Sequence, residues 1–365
     1  MTESKLLEAA GAGDERAYAE LVEPHRGALH AHCYRMLGSV HDAEDAAQET
    51  LLRAWRSLSS FQGRSSLRSW LYTIATNVCL RAIERRPGRV LPIDYGPPAD
   101  PHRPLGEPLV ESTWIEPYPD ERLGLDDGLA GPEARYEQRE SVELAFIAAL
   151  QNLPARQRAV LILRDVLGFS GAEVAAALRT TPASVYSALQ RAHETVDQRL
   201  PELSQQATLG SLGNARLREI VDRYVQAWER HDVGAIVAML TESVTIAMPP
   251  TATWYRGRET VATFLGARPL DGSLKWRLTT GRASGQLAAR ADLWDPAAGD
   301  FRPHHTAVLT LRGGLIDEIN TFLEPWALTL DAPEGEGCGR SRRPMDSGSS
   351  PEGNGAQRSP APGSA

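Results

Sequence analysis

Cysteine, net positive charge and long apolar runs are all scarce in this sequence. Its 365 residues include 3 cysteines, Cys33, Cys79 and Cys338, and these show no Cys-x-x-Cys spacing. An odd number of widely separated cysteines provides no disulfide framework, so we interpret them as buried or spare thiols in a reducing compartment.

No stretch reaches the roughly 18 consecutive apolar residues of a membrane-spanning helix. The N-terminal residues carry charges where a signal peptide needs an apolar run. We therefore expect a cytoplasmic protein without membrane contact.

The formal net charge is −8. A chain with this balance does not coat nucleic acid by bulk charge, so any DNA-binding surface must gather its basic residues into patches. Hydrophobic residues make up 42% and charged residues 24%, as in an ordinary globular protein. The length allows more than one domain.

Periodicity and composition divide the chain into six segments. Two segments have helical spacing of apolar residues, and a third mixes helices with strands. Proline and glycine mark the connections, and Gly, Ser, Pro and Arg dominate a disordered tail. The segments are 4–86 (helical), 87–132 (proline-rich linker), 133–200 (helical), 201–214 (polar linker), 215–330 (mixed) and 331–365 (tail).

In the mixed segment the pattern predicts helices over 216–231 and 233–240, followed by several strands. Gly313-Gly314 is typical of a hairpin turn between the last two strands. The predicted strands are 244–248, 274–280, 285–294, 306–312 and 315–322.

A first motif, D-A-E-D-A-A-Q-E-T-L-L-R-A-W, spans residues 42–55. On a helix, Asp45, Gln48, Glu49 and Leu52 lie on one face at spacings of three and four. A solvated helix face is the ordinary interpretation of such a stripe. The segment that follows, F-Q-G-R-S-S-L-R-S-W-L-Y-T-I-A-T-N over 61–77, interleaves aromatic side chains, asparagine and arginine. Arginine can hold phosphates, and aromatic side chains can receive unstacked bases.

A second motif lies in residues 153–200, where a helix, a short helix 172–178, a tight turn and a helix from Pro182 predict a helix-turn-helix. Thr181 is a candidate N-cap. The same pattern places Val174, Leu178, Val185 and Leu189 in the interior. Five side chains should face outward, toward a major groove: Ser184, Tyr186, Ser187, Gln190 and Arg191.

Together these strings resemble the extracytoplasmic-function (ECF) sigma factors of RNA polymerase. The first motif and residues 61–77 resemble sigma domain 2. Sigma domain 4 is resembled by the helix-turn-helix and by the string over 153–164, L-P-A-R-Q-R-A-V-L-I-L-R. The resemblance implies that Asp45, Gln48, Glu49 and Leu52 dock on the β′ clamp helices of core polymerase. It implies further partners in the β flap and in promoter DNA. The residues implied for the −10 element are Phe61, Arg64, Arg68, Trp70, Tyr72, Asn77, Arg81 and Arg85. Trp70 is equally consistent with a core position.

Domain 4 would read the −35 element through the five outward side chains. The chain departs from the family pattern there, because Tyr186, Ala188 and His193 stand where Lys or Arg is usual. Fewer phosphate contacts weaken binding and flatten its salt dependence. We therefore expect modest −35 affinity or a different base preference.

The mixed segment 215–330 resembles a SnoaL-like cone, an α+β barrel. The fold class is thus multidomain, with two all-α sigma domains and this third domain. Its aromatic residues either fill the barrel core or line a pocket for a small-molecule ligand: Trp228, Trp254, Tyr255, Trp276, Trp294 and Trp326. Some cone proteins are cyclases or isomerases, which makes Asp292, Asp295, His304, His305 and Glu318 weak candidates for catalysis. No metal motif or cofactor is predicted.

Three functional hypotheses remain at this point. The first is a non-enzymatic sigma factor whose third domain regulates it in cis, with residues 114–120 of the linker as a docking strip. The second is a SnoaL-like enzyme or ligand sensor fused to a DNA-binding module. The third is a helix-turn-helix repressor, which would need neither the acidic helix face nor the aromatic segment.

Overall fold

A computed structural model describes residues 2–63, 65–85, 88–109, 113–123, 137–325 and 327. The first helical segment folds into α1 (Glu3–Gly11), α2 (Glu15–Val22), α3 (Arg26–Leu37), α4 (Val40–Ser57) and α5 (Leu67–Ile83). Helix α3 is buried from Leu29 to Leu37, and α4 and α5 pack on it. Domain 2 is therefore built around α3, and this leaves one side of α4 and part of α5 to form its surface.

The proline-rich linker is ordered where it is described. It contains a short helix α6 (Pro92–Tyr95), a 3₁₀ turn (Asp120–Leu123), and bridges that pair Val90 with Trp114 and Pro119 with Ala283. The proline-rich composition did not indicate this regular structure. The cause is tertiary contact, since backbone groups buried against protein need hydrogen-bond partners.

The second helical segment contains α7 (Leu144–Gln151), α8 (Ala155–Leu161), α9 (Gly171–Ala177) and α10 (Pro182–Asp197). A π-helical turn (Ile162–Val166) follows α8. The helix-turn-helix prediction is confirmed, with Thr181 accepting a hydrogen bond from Ser184 N as the N-cap of α10. Val174, Leu178 and Val185 are buried, and Leu189 is half-buried.

The third domain starts earlier than its sequence pattern indicated. Helix α11 runs from Gln205 to Glu229 with a kink at Gly213, so most of the segment 201–214 that we predicted as a linker is helical. This part of the helix is mostly polar, and its first turn is capped by Glu143 of domain 4. Leu209 is its one buried apolar residue, so apolar spacing does not reveal the helix. The other helices are α12 (Val233–Val237) and α13 (Arg258–Ala267), of which α13 was not predicted.

The sheet has six strands in the order β2-β1-β6-β5-β4-β3. Pairing is antiparallel throughout except between β1 and β6. All five predicted strands are present, and Gly313 and Gly314 form the hairpin turn with positive φ angles of 57° and 80°. The strands are β1 (Leu240–Ala247), β2 (Trp254–Arg256), β3 (Trp276–Ala283), β4 (Gln286–Asp295), β5 (Asp300–Arg312) and β6 (Leu315–Leu323).

Two hydrophobic cores hold the described residues together. One lies inside the third domain, between α11 and the sheet. The other is shared: it runs through domain 2 and domain 4, includes Ile115 and Tyr118 of the linker, and reaches Ala283, Ala288 and Val308 of the sheet. The two helical segments 4–86 and 133–200 therefore share one core in this conformation and are not separate modules. Among the described residues, no helix is both long and apolar enough to cross a bilayer.

Candidate nucleic-acid interface

The acidic face of α4 is open. Asp45, Gln48 and Leu52 are exposed, and Leu52 retains 43% of its accessible surface. Glu49 is half-buried and accepts a hydrogen bond from Arg53 Nε at 2.6 Å. The opposite face packs into the core. The four side chains predicted for polymerase docking thus form one accessible stripe of polar, acidic and apolar character.

The linker holds the first turn of this helix. The Glu116 carboxylate accepts hydrogen bonds from Val40 N at 2.8 Å and from the Ser39 hydroxyl at 2.9 Å. Beside it, the buried Arg89 guanidinium donates to Asp42 at 2.7 Å. Negative charge at a helix N-terminus is stabilised by the unpaired N–H groups and the helix dipole. The orientation of α4 therefore depends on a residue outside domain 2.

Helix α5 carries the predicted −10 residues in three different environments. Arg81 and Arg85 are exposed near its C-terminal end. Trp70 is half-buried and packs on Phe61, with ring centroids 4.9 Å apart. The Asn77 amide donates to the backbone of Thr73 within the helix. Arg64 lies outside the described residues. The exposed edge of α5 can thus present aromatic and basic groups together.

Tyr72 and Arg68 are in contact with domain 4. Tyr72 retains only 3% of its accessible surface, and its ring meets Phe169 edge-on at a centroid distance of 5.5 Å. The Arg68 guanidinium lies 4.5 Å from the Phe169 ring centroid and donates to Leu167 O at 2.9 Å. In this conformation, therefore, Tyr72 is not accessible to a DNA strand.

The outward face of α10 is fully accessible. Tyr186 retains 56% of its surface, and the other four side chains predicted for the −35 element are also exposed: Ser184, Ser187, Gln190 and Arg191. The preceding helix α9 begins with a capping box between Ser170 and Glu173. His193 does not extend the basic surface, because its Nε2 is 2.5 Å from an Asp165 carboxylate oxygen. The outward face of α10 thus carries few positive charges, as the sequence predicted.

Residues 113–123 of the linker, here called the strap, lie between domain 2 and the third domain. Tyr118 N and O pair with the Ser284 hydroxyl and backbone N–H, at 3.0 and 2.6 Å. The Tyr118 hydroxyl lies 2.9 Å from His30 Nδ1 in α3, and Asp120 accepts from Gly285 N at 2.8 Å. Burial raises the pKa of Tyr118 and of Asp120. The predicted docking strip is confirmed as a contact surface.

Domain 4 contacts the third domain through Glu143. Its carboxylate accepts hydrogen bonds from Gln205 N and Gln206 N at 3.0 and 2.8 Å and so caps α11. Burial raises the pKa of this carboxyl, although the hydrogen bonds oppose the shift. Gln286 of β4 in turn accepts from Leu144 N, the first residue of α7. Each domain therefore caps a helix of the other.

Inside the third domain, aromatic and imidazole groups pack against each other. Trp228 meets His305 at 5.7 Å and Trp276 at 6.1 Å, and Trp276 meets His304 at 4.9 Å. Burial lowers the pKa of His304 to about 4 and that of His305 well below its usual value. Trp228, Tyr255 and Trp276 are buried in the core of the third domain, which agrees with a filled core. Trp254 is buried against the linker, where its indole N–H donates to Gly96 O, and Trp294 is half-buried. The Trp326 side chain lies outside the described residues.

Among the candidate catalytic residues, His304 Nδ1 lies 2.9 Å from His305 Nδ1, but the carboxylates of Asp292 and Asp295 do not join them. His305 pairs with Ala291 in the β4–β5 ladder, whereas the adjacent Asp292 points to the other face of the sheet, where it binds Arg277 and Arg290. Asp295 binds Arg302. The arrangement keeps Asp292 and His305 apart.

Three residues that matter here were missed as contacts from the sequence. Phe169 fell in the break before the predicted short helix 172–178, Glu143 in the helical segment 133–200, and Ser284 between two predicted strands. An apolar aromatic residue in a loop and an acid before an apolar helix are weak signals, because their partners are distant in sequence. Glu116 was placed in the docking strip without its role as a helix cap.

Comparisons with known proteins agree with this architecture. Family models match three parts of the chain: Sigma-70 region 2 at residues 21–87, Sigma-70 region 4 at 143–196 and a SnoaL-like domain at 221–319. The ECF RNA polymerase sigma factor SigG of Mycobacterium tuberculosis is 42% identical over 316 residues, which cover 85% of this chain and 83% of that relative. SigE of Mycolicibacterium smegmatis is 32% identical over 201 residues, 53% of this chain and 66% of the relative.

The crystal structure of the extracytoplasmic function sigma factor SigJ of Mycobacterium tuberculosis matches with a TM-score of 0.54. At 23% identity, with 86% of this chain and 99% of SigJ covered, that match shows the fold alone. The identity and coverage of SigG, by contrast, extend through all three domains. This protein belongs to the ECF RNA polymerase sigma factors.

Proposed function

We propose that this chain binds core RNA polymerase through the exposed face of α4 and starts transcription at promoters read by α5 and α10. The observation that carries the proposal is that the α4 and α10 faces are accessible at the same time in a member of the sigma family. Residues 4–86 would serve polymerase and −10 binding, 133–200 the −35 element and 215–330 regulation. The clamp helices of β′, the β flap and promoter DNA are the proposed partners, and the cytoplasm, where polymerase acts, is the proposed compartment.

The physical basis for promoter selection is bivalency. Each DNA-binding surface is weak, since the net charge is −8 and α10 has few basic groups. Held at a fixed separation on polymerase, two weak contacts act as one strong contact. Strand opening would be driven by the capture of unstacked bases on α5. Run-off transcription with core polymerase and the full chain tests the proposal.

The third domain would act as a regulator in cis through the strap. The support is its position: the strap caps the polymerase-docking helix with Glu116 at one end and hydrogen-bonds the β3–β4 turn with Tyr118 and Asp120 at the other. A change in the third domain that moved this turn would therefore reach α4 through five residues of linker. A variant that opens the turn without touching α4 should change transcription output.

The enzyme hypothesis receives less support. The SnoaL-like family model covers the third domain, but Asp292 and His305 lie on opposite faces of the sheet. We therefore propose a non-enzymatic role. Turnover of a polyketide-like substrate by the purified chain would contradict it.

A further inference from the structure

Phe169 lies where the proposed −10 surface should be free. It belongs to residues 167–170, here called the Phe169 loop, between the π turn after α8 and helix α9. Gly168 adopts a left-handed φ of 71°, which lets the chain turn sharply at this position. The loop is fixed within domain 4, because Phe169 N donates to Leu163 O and Phe169 O accepts from Arg164. Domain 4 thus presents a rigid aromatic side chain to its neighbour.

The neighbour is the side of α5 that carries Arg68 and Tyr72. Tyr72 is enclosed between His32 of α3, at 5.2 Å, and Phe169, at 5.5 Å. Arg68 covers both rings, 5.2 Å from that of Tyr72 and 4.5 Å from that of Phe169. Cation–π contacts and aromatic pairs of this kind both stabilise the contact between the two domains.

The space left at this contact is too small for a ligand. Between α5 and the domain 4 segment 163–177 the remaining cavity has a volume of about 10 Å³. A cavity of that size is at the lower limit for a single water molecule. A nucleobase therefore cannot reach Tyr72 unless the two domains separate.

We infer that the Phe169 loop occupies the −10 strand site of the free chain, so that domain 4 and single-stranded DNA compete for Arg68 and Tyr72. The inference rests on the proposed role of α5. It goes beyond it by naming the group that must leave: the Phe169 ring meets Tyr72 edge-on and fills the space that a base would need, and Leu167 O accepts from Arg68 where a phosphate oxygen would. The α4 and α10 faces stay accessible, so polymerase can engage the closed chain before strand capture.

Occlusion has a quantitative consequence. If only a fraction of the chain is open, the apparent dissociation constant for the strand is the intrinsic one divided by that fraction. Phe169→Ala removes the ring contacts, and we expect it to tighten binding of single-stranded DNA by roughly tenfold. The probe is a fluorescein-labelled random-sequence single-stranded DNA pool added to the full chain, and the readout is fluorescence anisotropy. Phe301→Ala, which truncates a half-buried phenylalanine of the third domain, is the matched control and should leave affinity unchanged.

A second measurement does not depend on how well Phe169→Ala folds. Dyes on cysteines introduced at exposed Ser59 of domain 2 and Glu194 of α10 report the separation of the two domains by energy transfer, in a chain carrying Cys338→Ser. Cys33 and Cys79 are buried and should not label. We expect saturating single-stranded DNA to lower the transfer. Unchanged transfer with DNA bound, or no gain in affinity for a folded Phe169→Ala, would overturn the inference. Failure of wild-type holoenzyme to bind DNA at all would instead refute the proposed function.

Discussion

At the scale of single residues, Glu49 tests the polymerase-docking face. Its carboxylate is half-exposed and supported by Arg53 on the same helix. Glu49→Lys reverses the charge at the centre of the stripe, and losing a charge pair at an interface costs about 2 kcal/mol or more. We expect affinity for core polymerase to fall at least about thirtyfold. Pull-down with core polymerase measures it, and Glu8→Lys on exposed α1 is the control. Equal retention of both variants would disprove the assignment.

His32 makes the stability of domain 2 dependent on pH. It is fully buried beside Thr76, and burial lowers its pKa to about 3. In the unfolded chain His32 becomes protonated as the pH falls below about 6.5, whereas in the folded chain it stays neutral until a much lower pH. The contribution of His32 is therefore fully present above that pH and is lost as the pH falls toward 3, at about 1.4 kcal/mol per pH unit.

The comparison of wild type with His32→Gln isolates this effect from other titrating groups. The free energy of unfolding, measured with urea, should fall between pH 7 and pH 5 in both proteins. The fall should be about 2 kcal/mol larger in wild type than in the variant. The variant will be less stable at both pH values, since it disturbs the packing beside Tyr72. Equal losses in the two proteins would show that His32 does not carry the dependence.

At the scale of elements, the β3–β4 turn determines whether the third domain stays docked. A side chain at Gly285 would place its Cβ 2.5 Å from Arg139 O, and its φ is +70°. Gly299 has nearly the same φ, +67°, but open space around it. Gly285→Ala and Gly299→Ala therefore share the backbone strain and differ only in the clash.

We expect Gly285→Ala to cost about 1–3 kcal/mol more than Gly299→Ala, because overpacking forces the turn away from domain 4. Hydrogen exchange of residues 113–123 should then be faster in Gly285→Ala alone, since Tyr118 and Asp120 lose their partners in the turn. Similar exchange in both variants would mean that the strap holds without the turn.

The elements that could be predicted from the sequence are the long ones with strong periodicity. Helices α4, α5 and α10 and all but the shortest strand were recognisable because their apolar spacing continues over several turns or alternations. Strand β2 spans only Trp254–Arg256 and is too short to show a pattern. The first part of α11 is stabilised by Glu143 of domain 4, and no local property of residues 205–213 records that contact.

At the scale of the whole molecule, the exposed faces of single helices were easier to predict than the contacts between domains. The stripe on α4 and the outward face of α10 are as expected, because each follows from helix geometry alone. Tyr72 is different: its position on α5 was predictable, but its burial under Phe169 depends on how two domains meet. Residues 114–120 of the linker were predicted as a docking strip, whereas the role of Glu116 as a helix cap for α4 required the structure.

The compact arrangement predicts how regulation reaches transcription. If the third domain acts through the strap, Gly285→Ala should alter the yield of run-off transcript relative to Gly299→Ala while leaving the α4 face chemically intact. The sign of the change will distinguish a restraining domain from an assisting one. Identical transcript yields from the two variants would show that the third domain does not control transcription through the strap.

The central claim is that this chain works as a promoter-reading subunit of polymerase, and run-off transcription tests it most directly. Core polymerase should give specific transcripts from a library of genomic promoters when the full chain is added, and no such transcripts with Glu49→Lys. Specific transcription by wild type that disappears in this variant is the predicted result. A folded wild-type chain that neither associates with core polymerase at any salt concentration nor yields transcript would contradict the account.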